Sequence, residues 1–162
     1  MRALLILVML ATLSGPAMAQ AFDTPEALVN AIYQRYQAGA SAADPTVFYS
    51  ERLKRLTAEH AERAAEGPAA IVAEGTGEPA VEFDPFIDGQ SALLLDVTIG
   101  TPLVMGDRAL VTVGFHNFDQ PTLLSLSLLR EADGWRVDDV TSTGGEENWM
   151  LSWLLQFDPW GL

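Results

Sequence analysis

The period of polar and apolar positions changes along the chain, and the changes divide it into segments. Leu4 to Leu10 is one unbroken apolar run. From Leu28 the spacing becomes helical: Leu28, Ile32 and Tyr36 recur every four residues, with Val29 and Tyr33 beside them. Thr24-Pro25-Glu26 supplies an N-cap, a first-turn proline and an acid at the positive end of the helix dipole. This predicts a helix to about Gln37, ended by Gly39. Ser41 to Pro45 reads as a linker. A second helix is expected from Ser50 to Glu66, on a stripe of Leu53, Leu56 and His60, stopped by Gly67-Pro68.

Residues 67–91 lose the period and hold Gly75, Gly77, Pro79, Pro85 and Gly89. The front of this stretch, 67–80, is expected to be a mobile loop. Its back, Phe83-Asp84-Pro85-Phe86-Ile87-Asp88-Gly89-Gln90, is too aromatic for a linker. From Ala92 the period becomes two. Leu93, Leu95, Val97 and Ile99 alternate with Leu94, Asp96 and Thr98, which predicts a half-buried strand. Met105-Gly106-Asp107 reads as a turn into a strand from Ala109 to Phe118, and Gln120-Pro121 leads into Thr122 to Arg130. Asp133-Gly134 is a hairpin signal before Trp135 to Thr141. The strands form a four-stranded antiparallel meander, and a last helix is expected from Glu146 to Phe157. Helices followed by an antiparallel sheet give an α+β domain, with helices covering one face of a curved sheet.

The N-terminus changes where this domain is expected to work. Arg2, the apolar run, the Ser14-Gly15-Pro16 break and Ala17-Met18-Ala19 have the layout of a secretory signal peptide cleaved after Ala19. Removing nineteen of 162 residues leaves a 143-residue domain, 20–162. It removes one of nine Lys/Arg and none of 22 Asp/Glu, so a net charge of −13 becomes −14. So acidic a surface repels nucleic acid and anionic lipid, and suits a basic partner or a cationic ligand. The chain has no cysteine. That removes thiolate catalysis, thiolate zinc sites and the lipid-attachment residue of a lipoprotein. The expectation is a periplasmic or secreted protein without a membrane anchor, cofactor or metal.

With the elements placed, the residues carry a resemblance. The Tyr-bearing first helix, Asp84-Pro85-Phe86 with Gly89-Gln90, and the strand Asp133-Gly134-Trp135-Arg136-Val137-Asp138-Asp139-Val140 resemble a family of exported bacterial proteins of unassigned activity. Their domain is of the nuclear transport factor 2-like (cystatin-like) type. The similarity runs from about Pro25 to Val140. Many family members look like lipoproteins, from which this chain departs. The resemblance implies a cone of sheet and helices, and no reaction, because that superfold hosts isomerases, dehydratases, binding modules and scaffolds.

Three sets of residues are candidates for function. For a ligand, they are Tyr33, Tyr36, Asp84, Asp88, Gln90, Trp135 and Arg136. The Asp84/Asp88 pair also has a simpler role as turn residues capping backbone N–H groups, with Gly89 taking the bend. For chemistry, alternation puts Asp96 and Thr98 on one face of their strand, Thr112, Gly114 and His116 on one face of the next, Ser125 and Ser127 on one of the third and Arg136 and Asp138 on one of the fourth; where these faces coincide, one surface holds an imidazole, two carboxylates and a guanidinium. A cofactor-free isomerase or hydrolase using His116 with Asp96 or Asp138 requires that face to be enclosed. The alternative is an ordinary solvated sheet face. His60 reads as a structural histidine touching the core. For an interface, the last helix offers Trp149, Trp153, Phe157 and Trp160 on a segment so apolar that it needs cover nearly all round. The balance favours a non-catalytic module for a small ligand or an envelope protein, with a homodimer as one form. An inhibitor or immunity protein of a basic envelope hydrolase is the further alternative.

Overall fold

A computed structural model describes residues 21–37, 44–66, 84–144 and 148–157. The signal segment 1–19, the loop at 67–80, Phe83, Glu146 and Trp160 lie outside the described residues. The architecture is α+β, with helices on one face of a curved antiparallel sheet of six strands.

Helix α1, Pro25–Gln37, starts where its capping signals place it. Thr24 Oγ1 accepts from Ala27 N at 3.1 Å, which satisfies one of the backbone donors left over at a helix start. Leu28, Val29, Ile32 and Tyr33 are buried. Pro45–Phe48 forms a 3-10 turn, capped by Asp44, whose carboxylate accepts from Thr46 N at 2.9 Å. Helix α2, Glu51–Glu66, is N-capped by Ser50, whose Oγ accepts from Leu53 N at 3.1 Å. Ser50 N donates to Val137 O at 2.8 Å, so the start of α2 is bonded to the sheet.

The strands are β1 Leu94–Ile99, β2 Leu103–Met105, β3 Arg108–Asn117, β4 Gln120–Glu131, β5 Gly134–Ser142 and β6 Trp149–Met150. Their order is β1-β3-β4-β5-β6, with β2 also on β3. β1 and β2 therefore lie end to end along one edge of β3. Period two sets the inner face: Ala109, Val111, Val113 and Phe115 of β3 pair across to Leu124, Leu126 and Leu128 of β4 and Val137 and Val140 of β5. These side chains and the buried faces of α1 and α2 form one core. Helix α3, Leu151–Phe157, buries Leu151 and Leu155.

Three expectations need correction. The sheet has six strands rather than four: β2 occupies residues read as the approach to a turn, and Trp149–Met150 pairs with β5. That pairing uses the residues expected in the first turns of the last helix, which begins only at Leu151. The alternation of β1 reverses midway. A bulge between Leu95 and Thr98, with Asp96 at φ 54°, sends Leu95 outward while Val97 and Ile99 pack inward. Thirdly, Asp88 rather than Gly89 takes the left-handed bend, at φ 52°.

Candidate functional site

Of the candidate ligand residues, Tyr33, Tyr36, Asp84 and Asp88 meet at one end of the sheet, where Tyr36 bonds to Asp84. Residues 84–89 close a tight loop: Asp84 N donates to Gly89 O at 2.8 Å, and Ile87 N to Asp84 O at 3.2 Å. The Asp84 carboxylate accepts from Phe86 N at 2.9 Å and from Tyr36 Oη of α1 at 2.5 Å. Tyr33 Oη donates to Phe86 O at 3.1 Å. Phe86 is buried edge-on against Phe48 and Tyr49, with centroids 6.1 and 6.0 Å away. Burial pushes the Asp84 carboxyl above its ordinary range, while Tyr36, Phe86 N and the charge of Arg35 pull it back. Burial, reinforced by the Asp84 charge, raises the phenols of Tyr33, Tyr36 and Tyr49, so all three stay protonated donors.

Asp88 joins the same loop to the far strands. Its carboxylate accepts from Ser142 Oγ at 2.8 Å and Trp149 Nε1 at 2.7 Å. Asn117 Nδ2 donates to Ile87 O and Ser91 O at 3.2 and 3.0 Å. The aromatic block thus plugs the sheet end, held by α1, β3, β5 and β6. Gln90 is exposed beside it.

Arg136 and Asp138, expected on a solvated sheet face, are buried instead. Arg136 donates to Trp135 O at 3.0 Å, pairs with Asp133, and lies over the Phe22 ring at 5.8 Å. Trp135 is part of the core, and its N donates to Phe22 O at 2.8 Å. The chain segment before α1 thus covers this part of β5, which local alternation in β5 alone cannot reveal. Asp138 is the extra residue of a second bulge, between Val137 and Asp139. It accepts from Ser50 Oγ at 2.7 Å and Arg52 Nε at 2.9 Å. Burial alone would raise its carboxyl. The bonds from Arg52 and Ser50, with the charges of Arg52 and Arg108, outweigh that and hold it below the usual range. Asp139 accepts from Ser152 N at 3.0 Å, capping α3. Among the described residues, every buried side-chain N or O has a hydrogen-bond partner.

His116 and Asp96 do meet, across β3 and β1, with Nδ1 3.9 Å from Oδ2. They lie on the outer face, with side chains 49% and 87% exposed. Asp138 is bonded to α2 instead. The arrangement gives no enclosed imidazole–carboxylate pair, and enclosure is what moves such groups' pKa values for proton transfer. His60 is half-buried, its Nδ1 3.3 Å from Leu155 O at the end of α3, where Arg63 also donates.

The aromatic residues of the last segment divide. Trp149 is half-buried and bonded to Asp88, while Trp153 and Phe157 are 54% and 62% exposed, with rings 6.0 Å apart. Sequence reasoning missed a larger feature. Leu95, Leu103, Met105, Leu110, Leu123 and Met150 are all exposed. By strand register they share the outer sheet face with Thr112, Ser125 and Thr141. The signal was available: Leu110 and Leu123 occupy the polar phase of their strands. No family model, no curated protein and no solved structure matches this chain.

Proposed function

We propose that the chain is an exported, non-catalytic interaction module built as a nuclear transport factor 2-like cone. Its working surface is the outer face of the sheet rather than the interior. One observation carries this reading: six large apolar side chains sit exposed together on that face. Large apolar side chains exposed on one sheet face are surface of the kind that marks interaction sites. The interior polar groups are consistent with the same reading, because Tyr33, Tyr36, Asp84, Asp88 and Asp138 are bonded to neighbours of their own chain.

Site-specific photo-crosslinking in cells that export the protein tests it. A photoreactive residue at position 110 or 123 is expected to form protein adducts, and one at position 59 on the exposed side of α2 to form none. Equal labelling at all three positions, or none at 110 and 123, would overturn the assignment.

A further inference from the structure

We propose that Met105 and Met150 are a reversible oxidation site, at which a two-electron oxidant of the peroxide class switches off the apolar outer face. Three of the five methionines, Met1, Met9 and Met18, lie in residues 1–19, so the exported chain carries two sulfur atoms, those of Met105 and Met150. Methionine ordinarily fills gaps in cores. Here neither belongs to the core, and the two are 63% and 45% exposed. Their strands, β2 and β6, lie at opposite edges of the sheet. Register sets Met105 level with Arg108, and Met150 level with Thr141, Ser125 and Thr112. With strands about 4.8 Å apart and rising about 3.3 Å per residue, the two stand about 20 Å apart, diagonally across the face. A partner that covers the face from edge to edge meets at least one of them.

The chemistry needs only an accessible thioether. Its lone pair attacks one oxygen of hydrogen peroxide, and the S–O bond forms as the O–O bond breaks. Sulfur loses two electrons and the peroxide gains them; the leaving hydroxide takes the proton of the transferred oxygen and departs as water. The chain has no cysteine, so no thiolate of its own takes the oxidant first. The product is a polar sulfoxide, which methionine sulfoxide reductases return to the thioether. Because neither side chain is in the core, the change falls on the surface and not on the fold. There an apolar contact becomes a hydrogen-bond acceptor, which an apolar partner leaves unpaired. The consequence for binding rests on the interaction-module reading; the modification itself does not.

Peptide mapping of the exported, folded chain after brief exposure to dilute hydrogen peroxide is expected to find one added oxygen at each methionine. The rates should be within about threefold of free N-acetylmethionine, since reactivity follows exposure. The thermal midpoint should stay unchanged, retention on a phenyl column should fall, and methionine sulfoxide reductases should restore it. In cells, peroxide should lower the adducts at positions 110 and 123 about tenfold, the factor for one polar group buried without a partner. Met105→Leu with Met150→Leu keeps the apolar surface and should make retention and adducts insensitive to peroxide. Met105→Gln with Met150→Gln should reproduce the oxidised protein without it. Methionines that react more than about tenfold slower than the free compound would overturn the proposal. So would retention unchanged by oxidation, or the same loss of adducts in the leucine variant. A chain that gives no adducts at 110 or 123 even without peroxide ends the module reading, while mapping, retention and reversal still decide the oxidation site.

Discussion

Replacing Tyr36 by phenylalanine removes one hydroxyl, and that hydroxyl donates to a buried carboxylate at 2.5 Å. A hydrogen bond to a charged group contributes about 1.5–3 kcal/mol, and one between neutral groups about 0.5–1.5 kcal/mol. Tyr36 is only half-buried, so water takes part of the hydroxyl's place and the neutral-pH loss should be about 1.5 kcal/mol. The loss should depend on pH in a defined direction. Burial raises Asp84 above its ordinary value, so its stabilising contribution is greatest in acid and is lost as pH rises through the folded value. The Tyr36 bond favours the charged form and opposes that rise. Without it, the folded value moves higher still, and stability falls more steeply between acid and neutral pH. Near pH 3, below the unfolded carboxylate value of about 3.9, the deficit should shrink to about 0.5–1 kcal/mol. Urea unfolding of both proteins at pH 7 and pH 3 measures it, with the fluorescence of buried Trp135 and half-buried Trp149 as the signal. Other titrating groups are common to both proteins and drop out of the difference. An equal deficit at the two pH values would refute the reasoning, because the bond would then not discriminate a charged Asp84.

Asp138 should behave in the opposite sense: its lowered folded value gives stability above about pH 4 that is lost as pH falls through it. Asp138→Asn should therefore cost about 1 kcal/mol at pH 7, discounted because Arg52 is 40% exposed, and less in acid; urea midpoints across pH report both. Gly134→Ala should cost about 2 kcal/mol or more, seen as a lowered urea midpoint, because residue 134 is at φ 121° and a Cβ would stand 2.7 Å from Phe22 O. His116→Ala should leave the thermal midpoint of the protein without a partner unchanged, since its pairing with Asp96 is solvent-facing; a large shift would mean that the pair contributes to the fold.

The helices were legible because their signals are local. Thr24-Pro25 and Ser50 act within one turn of the residues they cap. The last helix misled because Trp149, Met150 and Leu151 run together with no stop signal between them, and only the pairing of Trp149–Met150 with β5 decides where strand ends and helix begins. The β1 bulge was hidden for a related reason. Alternation predicts faces only while the register is continuous, and β3 imposes the shift at Asp96. Of the ligand candidates, Tyr33, Tyr36 and Asp84 come together, although 48 residues separate Tyr36 from Asp84. The aromatic density of the block announced packing. Its partners depended on how α1 crosses the sheet end, which no local pattern encodes. Arg136 and Asp138 were misplaced because segments from elsewhere, Phe22 and the start of α2, cover β5.

The two adjacent acids of β5 link the helix starts to the character of the outer face. Register puts Asp139 opposite Ser127, in the outward phase of the sheet. Left in water there, it would place a carboxylate near the uncharged middle of the face. Its oxygens are instead engaged by Ser152 at the start of α3, while Asp138 is taken by Ser50 and Arg52 at the start of α2. Bonding the starts of two helices to strand carboxylates thus does two things at once. It fixes both helices to β5, and it withdraws acids from a surface whose remaining charges, Arg108 and Asp96, lie at opposite ends.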